Sequence, residues 1–253
     1  MMKVNVLKVG GAVVEDPAAL SAFLQRFAAL DGLKVLVHGG GRTATDVSAK
    51  LGLETTMVGG RRVTDADTLK VVTAVYTGLV NKNVVAQLQG RGVNAFGICG
   101  ADFGFIKSVR RPVTPEGVDY GFVGDVVEVD HDALSMLLFR HFVPVVAPIT
   151  HDGNGQLLNT NADTVASMTA QALSRIFDVT LTYCFEKDGV LDADGNVIPS
   201  IDAASFAALK ADGTVSGGML PKLENAFGAL SGGVSRVVIT SASSLDGGTV
   251  ITL

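Results

Sequence analysis

Five short stretches of the chain carry the residue types that phosphate and carboxylate chemistry needs. Lys8-Val9-Gly10-Gly11 and His38-Gly39-Gly40-Gly41 each follow a short apolar run. Consecutive glycines leave backbone N–H groups bare, so such a turn can line a concave anion nest ahead of a helix. Gly59-Gly60-Arg61-Arg62-Val63-Thr64-Asp65 brings two guanidiniums to one loop. A guanidinium grips a carboxylate through two parallel hydrogen bonds, as a lysine ammonium does not. Leu158-Asn159-Thr160-Asn161-Ala162-Asp163 holds more polar groups than one helix cap requires. Gly217-Gly218-Met219-Leu220-Pro221-Lys222 sets a lysine in the first turn of a helix, against the helix dipole unless an anion shares the site.

Singly, each stretch has a plain structural reading as a tight turn, a surface arginine pair or a helix cap. Together, two lysines, a glycine nest, an arginine and an aspartate describe phosphoryl transfer without a covalent intermediate. There the protein positions the reactants and neutralises charge on the transferring oxygens. An acidic residue in such a site holds the lysines in place, because a carboxylate acceptor is already ionised and needs no base. The chain contains neither GxxxxGK[ST] nor GxGxxG, which argues against a P-loop transferase and a dinucleotide fold.

Short runs rich in Val, Ile and Leu alternate with longer helical patterns, the pattern of a parallel sheet buried under helices. Strands are expected at 4–9, 34–37, 93–99, 143–149, 179–184 and 234–240. Helices are expected at 16–30, 43–51, 65–91, 130–141, 161–177, 200–210 and 220–232. Asp16-Pro17 marks one helix start with a capping carboxylate and a proline at the first helical position. The glycine clusters fall at the carboxyl ends of strands, the edge where open α/β sheets bind ligands. Residues 107–128, with Arg110, Arg111, Pro112 and Pro115, interrupt the alternation and read as a hairpin or loop excursion. Residues 181–194 read similarly, with turn signals at Asp188-Gly189 and Asp194-Gly195.

With 253 residues, 47% of them hydrophobic and 18% charged, the chain is long and apolar enough for a sizeable core. We expect one domain over 1–253, with a soft boundary near 177–178 dividing lobes 1–177 and 178–253. A formal charge of -5 without basic clusters argues against nucleic acid. No apolar stretch approaches the roughly 20 residues of a membrane span, and the amino terminus does not read as a secretory signal, so a cytoplasmic location is expected. Cys99 and Cys184 form no paired motif, and His131, His141 and His151 show no metal-ligand spacing, so no protein-held metal is expected. His38 stands beside the glycine nest and is read as a hydrogen-bonding partner of that loop.

In the order and spacing of these stretches, with Gly121–Asp125 and Gly189–Asp192, the chain resembles the amino acid kinase family, specifically its acyl-glutamate-phosphorylating branch. The resemblance covers nearly the whole chain and implies a three-layer α/β/α sandwich with an open, mostly parallel sheet. It implies ATP-dependent phosphorylation of the γ-carboxylate of an N-acylated glutamate, a step of arginine biosynthesis. ATP is the co-substrate, with Mg²⁺ carried by its phosphates, and the enzyme is a homodimer that arginine does not inhibit.

By the same resemblance, Lys8 and Lys222 stabilise the transferring phosphoryl group and Asp163 orients them. Gly10 and Gly11 lie close to the phosphates. Gly40 and Gly41 offer N–H groups to the acyl-glutamate, Arg62 clamps its α-carboxylate and Asn159 binds it from the opposite side. The nucleotide lies along Glu186, Lys187, Asp188, Gly189, Val190 and Leu191 and near Thr214, Val215 and Ser216. Glu186 stands where the family pattern usually has an aspartate. The stretch 107–128 covers the acyl end, and its arginines keep open a larger, more anionic acyl group such as succinyl. A non-catalytic sensor on the same fold is the reading from another class; the presence of Lys8, Lys222 and Asp163 disfavours it.

Overall fold

The alternation of apolar runs and amphipathic segments produces one eight-stranded sheet in the computed structural model, which describes residues Met1–Leu253. Its order is Ser200–Ile201, Thr249–Ile251, Arg236–Ser241, Asp178–Phe185, Lys3–Val9, Leu33–His38, Val143–Ala147 and Ala95–Cys99. The six strands from Arg236–Ser241 to Ala95–Cys99 are parallel. Thr249–Ile251, next to the edge strand Ser200–Ile201 and parallel to it, runs antiparallel to its other neighbour Arg236–Ser241. The sheet is therefore mostly parallel, as expected, with its direction reversed at one edge.

Side chains alternate across a strand, and the first strand shows what each face buries. Val4 and Val6 join a core shared with helices Ala162–Leu173 and Met219–Ser231. Leu7 and Val9 join the opposite core, under helices Pro17–Ala29, Ala66–Thr73 and Asn81–Gln89. Two such cores around one sheet are the three layers. By the same parity Lys8 lies on the Val4 and Val6 face, toward helix Ala162–Leu173.

A second, four-stranded sheet joins Leu157–Asn159, Ile149–His151, Ile106–Arg110 and Gly124–Val129. Its antiparallel pair Ile106–Arg110 and Gly124–Val129 is the hairpin expected within 107–128. A two-stranded hairpin, Met57–Val58 with Arg61–Arg62, presents the arginine pair. Isolated bridges pair Thr64 with Gly121 and Val123 with Asn159, tying these pieces together. Gly121 has φ 70°, and a Cβ there would lie 2.2 Å from the Thr64 carbonyl oxygen, so the close approach requires glycine.

The helix expected at 65–91 is divided by a π-helical stretch, Ala74–Val80, between Ala66–Thr73 and Asn81–Gln89. The helix expected from Ser200 begins at Ala203, because Ser200–Ile201 pairs as an edge strand and Asp202 caps the turn that follows. No helix is long and apolar enough to cross a membrane.

Candidate active site

Three elements converge on Asp163. The Asn161 side chain caps its helix by accepting from the Asp163 and Thr164 N–H groups at 2.8 and 3.1 Å, which fixes the first turn. The Asp163 carboxylate then meets Lys8 Nζ at 2.7 Å and Lys222 Nζ at 3.1 Å. Lys8 comes from the end of the first strand and Lys222 from the first turn of helix Met219–Ser231. Lys8 and Asp163 are both buried. Burial works to raise the Asp163 pKa, but the two ammonium groups outweigh it and hold the carboxyl below its ordinary value. Buried Tyr183 donates its hydroxyl to the Asp163 carbonyl oxygen at 3.3 Å, anchoring the same turn from the neighbouring strand.

The two glycine turns pack on one another beside this triad. Gly10 N–H donates to the Cys184 carbonyl, and Gly39 N–H to the Val9 carbonyl. Gly11 and Gly41 open helices, so their N–H groups have no intrahelical acceptor, and Gly40 N–H has no acceptor either. Gly40 has φ 155°, and a Cβ there would crowd Val80 and Tyr76 at 3.2 and 3.3 Å. Glu15 fastens the turns by accepting from Thr43 N–H at 2.8 Å. His38, fully buried, sets its Nδ1 2.8 Å from the Gly39 carbonyl, the loop contact expected of it.

A cavity of about 210 Å³ opens between these turns and the arginine hairpin. Gly39, Gly40, Gly41, Arg61, Arg62 and Asn159 are among its lining residues. Arg62 is buried and held by three acceptors, Gly41 O and Thr45 Oγ1 at 2.8 Å and Thr55 Oγ1 at 3.0 Å. Asn159 faces it from the other wall and donates to Thr64 Oγ1 at 3.0 Å. Two cations, unpaired N–H donors and an amide around one cleft suit a small polycarboxylate with a phosphoryl donor beside it.

The residues expected at the nucleotide divide into two groups. Glu186, Lys187, Asp188 and Ser216 are exposed, and Leu191 and Thr214 are half-buried. Gly189, Val190 and Val215 are buried in the fold: Val190 N–H donates to Thr249 Oγ1 at 2.9 Å, and Val215 N–H to the Leu209 carbonyl. The strand Asp178–Phe185 that feeds this loop lies beside the first strand, with Cys184 opposite Val9, so loop and glycine turns share one sheet edge. Glu15, Thr45, Thr55 and Tyr183 support the site but were not singled out from the sequence, whereas Thr64 lies in the arginine stretch that was.

Comparison with known proteins agrees with this geometry. The sequence model of the amino acid kinase family matches residues 3–241. Acetylglutamate kinase of Bacteroides fragilis is 60% identical over 254 residues, covering 98% of this chain and 97% of the relative. Among solved structures, a Streptococcus mutans protein shares 26% identity with a TM-score of 0.83, covering 98% of each chain. The Giardia lamblia carbamate kinase bound to AMP-PNP shares the fold at 15% identity and a TM-score of 0.69, covering 99% of this chain and 98% of that one.

Proposed function

The chain belongs to the amino acid kinase family, and on that footing we propose that it transfers the γ-phosphoryl group of ATP to the γ-carboxylate of an N-acylated L-glutamate. N-acetyl-L-glutamate is the acceptor for which its relatives are named, and the reaction belongs to arginine biosynthesis. The observation that carries this reading is Asp163 bridging Lys8 and Lys222 beside a cavity that holds Arg62, Asn159 and the glycine turns.

The acceptor carboxylate oxygen attacks the γ-phosphorus, the bond to the β,γ-bridging oxygen breaks, and ADP leaves. No proton need be removed, so no general base is required. Lys8 and Lys222 neutralise the charge that spreads over the phosphoryl oxygens, and Asp163 keeps the two ammonium groups from separating. Gly10 and Gly11 face the phosphates, and the N–H groups of Gly40 and Gly41 bind the acyl-glutamate. Arg62 clamps the α-carboxylate and Asn159 closes on the substrate from the opposite wall. Its three protein contacts pre-set the Arg62 fork, so less ordering entropy is lost on binding.

The nucleotide lies along 186–191 and near 214–216, so lobe 178–253 serves ATP and lobe 1–177 the acyl-glutamate. Mg²⁺ enters on the nucleotide phosphates, because the Asp163 carboxylate is already engaged by two ammonium groups. The protein acts in the cytoplasm as a homodimer. The exposed Phe96 on the edge strand Ala95–Cys99 suits a contact between copies.

A coupled ADP-release assay with Mg-ATP tests the reading. Acyl-glutamate-dependent turnover with little or none on free glutamate is expected. Equal turnover on free glutamate, or none on any acyl-glutamate, would refute it.

A further inference from the structure

The sheet face that carries Leu7 loses its helical cover beyond the first strand. The helices that follow Asp178, Ala203–Ala211 and Met219–Ser231, pack into the core on the Val4 and Val6 face. A parallel sheet is ordinarily covered and apolar on both faces. Here the register sets Asn5, Thr180 and Arg236 in one row across three adjacent strands, and Leu7, Thr182 and Val238 in the next. Thr180 and Thr182 sit on a central strand and yet are only half-buried.

Over these two rows lies a second cavity, of about 360 Å³, within the size range of small-ligand sites. Leu30, from the end of helix Pro17–Ala29, and Leu245, Asp246 and Gly247, from the loop before the last strand, complete its wall. Gly248 fixes that loop: its φ is 89°, and a Cβ there would lie 2.4 Å from the Ile239 carbonyl oxygen, an approach only glycine permits. The cavity shares no lining residue with the acceptor cavity, and it opens on the face of the first strand opposite to Lys8.

Arg236 and Asp246 are the two charged residues of its lining, and neither side chain has a hydrogen-bond or ion-pair partner within the chain. The Thr180 and Thr182 hydroxyls on its floor are unpaired as well, while Leu30 and Leu245 offer half-buried apolar surface. A ligand that carries an anion and a cation close together answers both charges at once, whereas a ligand with one charge leaves the other unmet. The lining holds no third charge to receive a charged side chain. We propose that this cavity binds a small zwitterionic α-amino acid with an apolar side chain, its carboxylate on Arg236, its ammonium on Asp246 and its side chain against Leu30 and Leu245.

The test is equilibrium dialysis of the full chain against labelled L-leucine, a readout that needs no turnover and so stands apart from the kinase reading. Saturable binding of one L-leucine per chain is expected, with no displacement by excess N-acetyl-L-glutamate. Arg236→Gln and Asp246→Asn should each weaken binding by about ten-fold or more, the effect of losing one charge-assisted contact. Both side chains are exposed, so urea unfolding midpoints should stay close to the wild type's and show that the variants are folded. Isocaproate, which lacks the ammonium, and L-leucinamide, which lacks the carboxylate, should compete poorly. Absence of saturable binding, displacement by N-acetyl-L-glutamate, or full binding by either folded variant would overturn the proposal. So would isocaproate competing as well as L-leucine, which would leave Arg236 a plain anion contact, or tighter binding of L-arginine or L-glutamate, whose third charge has no partner here.

Discussion

Acid should loosen the glycine loop through His38, and the size of the effect follows from its contacts. The ring is fully buried; Nδ1 donates to the Gly39 carbonyl and Nε2 accepts from Asn81 Nδ2 at 3.0 Å. The other Asn81 amide proton goes to the Val145 carbonyl at 2.9 Å, so the amide cannot turn to accept instead. A protonated ring would aim a second N–H at a donor. Burial above all holds the His38 pKa down to about 4; the Gly39 carbonyl opposes the shift and the nearby Lys82 charge adds to it. In the unfolded chain a histidine titrates near 6.5. Between pH 4 and 6.5 the unfolded chain therefore binds a proton that the native state refuses, and stability is lost as pH falls through that window.

A shift from 6.5 to about 4 at roughly 1.36 kcal/mol per unit is worth about 3 kcal/mol by pH 4. The depressed carboxyls lose their contribution as pH falls through and below their ordinary values, 3.8 for Asp65 and Asp163 and 4.5 for Glu116, so His38 is isolated above about pH 5. Urea unfolding midpoints measured from pH 7.5 to about 5 should show wild-type stability declining with a slope approaching one proton. His38→Gln should remove most of that decline. Parallel curves for the two proteins would refute the reasoning, because the refused proton would then belong to another group.

Lys222→Ala should lower kcat by about 100-fold or more with little change in KM for the acyl-glutamate, the cost of removing one charge that acts chiefly in the transition state. Arg62→Ala should instead raise that KM by about ten- to a hundred-fold; steady-state kinetics over both substrates separates the two outcomes. Lys34, buried away from the site, donates to the carbonyls of Phe27, Ala28 and Leu30 at 3.0, 2.9 and 2.6 Å and so closes the end of helix Pro17–Ala29. Lys34→Met should cost about 1–3 kcal/mol in chemical denaturation while leaving kcat unchanged.

What could be read in the sequence was whatever repeats or clusters locally. The six parallel strands are apolar runs long enough to show their character, and each lies within a few residues of its expected place. The small sheet was legible only as its hairpin. Ile149–His151 and Leu157–Asn159 have three residues each, too short for an alternation to register, and Pro148 cuts the first of them from the strand it seemed to continue. The π-helical stretch at Ala74–Val80 lies inside a pattern that reads as unbroken helix, and its residues give no warning of it. In the site, lysines and glycines stood out because they broke local expectations. Asn81, which donates to His38 across 43 residues, breaks none, and the stretch that holds Thr64 gave no sign that it accepts from Asn159 across 95.

The residues that did stand out share a physical reason. A lysine in the first turn of a helix opposes the dipole, a lysine on the core face of a strand is costly to bury, and a carboxylate buried alone would be costlier. Lys222, Lys8 and Asp163 each carry one of these conflicts, and each conflict is relieved by the others at 3.1 and 2.7 Å. Local rules are broken where a long-range arrangement compensates, and such places are where function concentrates. The compensation is incomplete in a useful direction: two ammonium groups against one carboxylate leave a net positive charge. A trio that balanced fully would be as well settled without a phosphoryl group as with one. The remaining charge is free to act on the oxygens of the group being transferred.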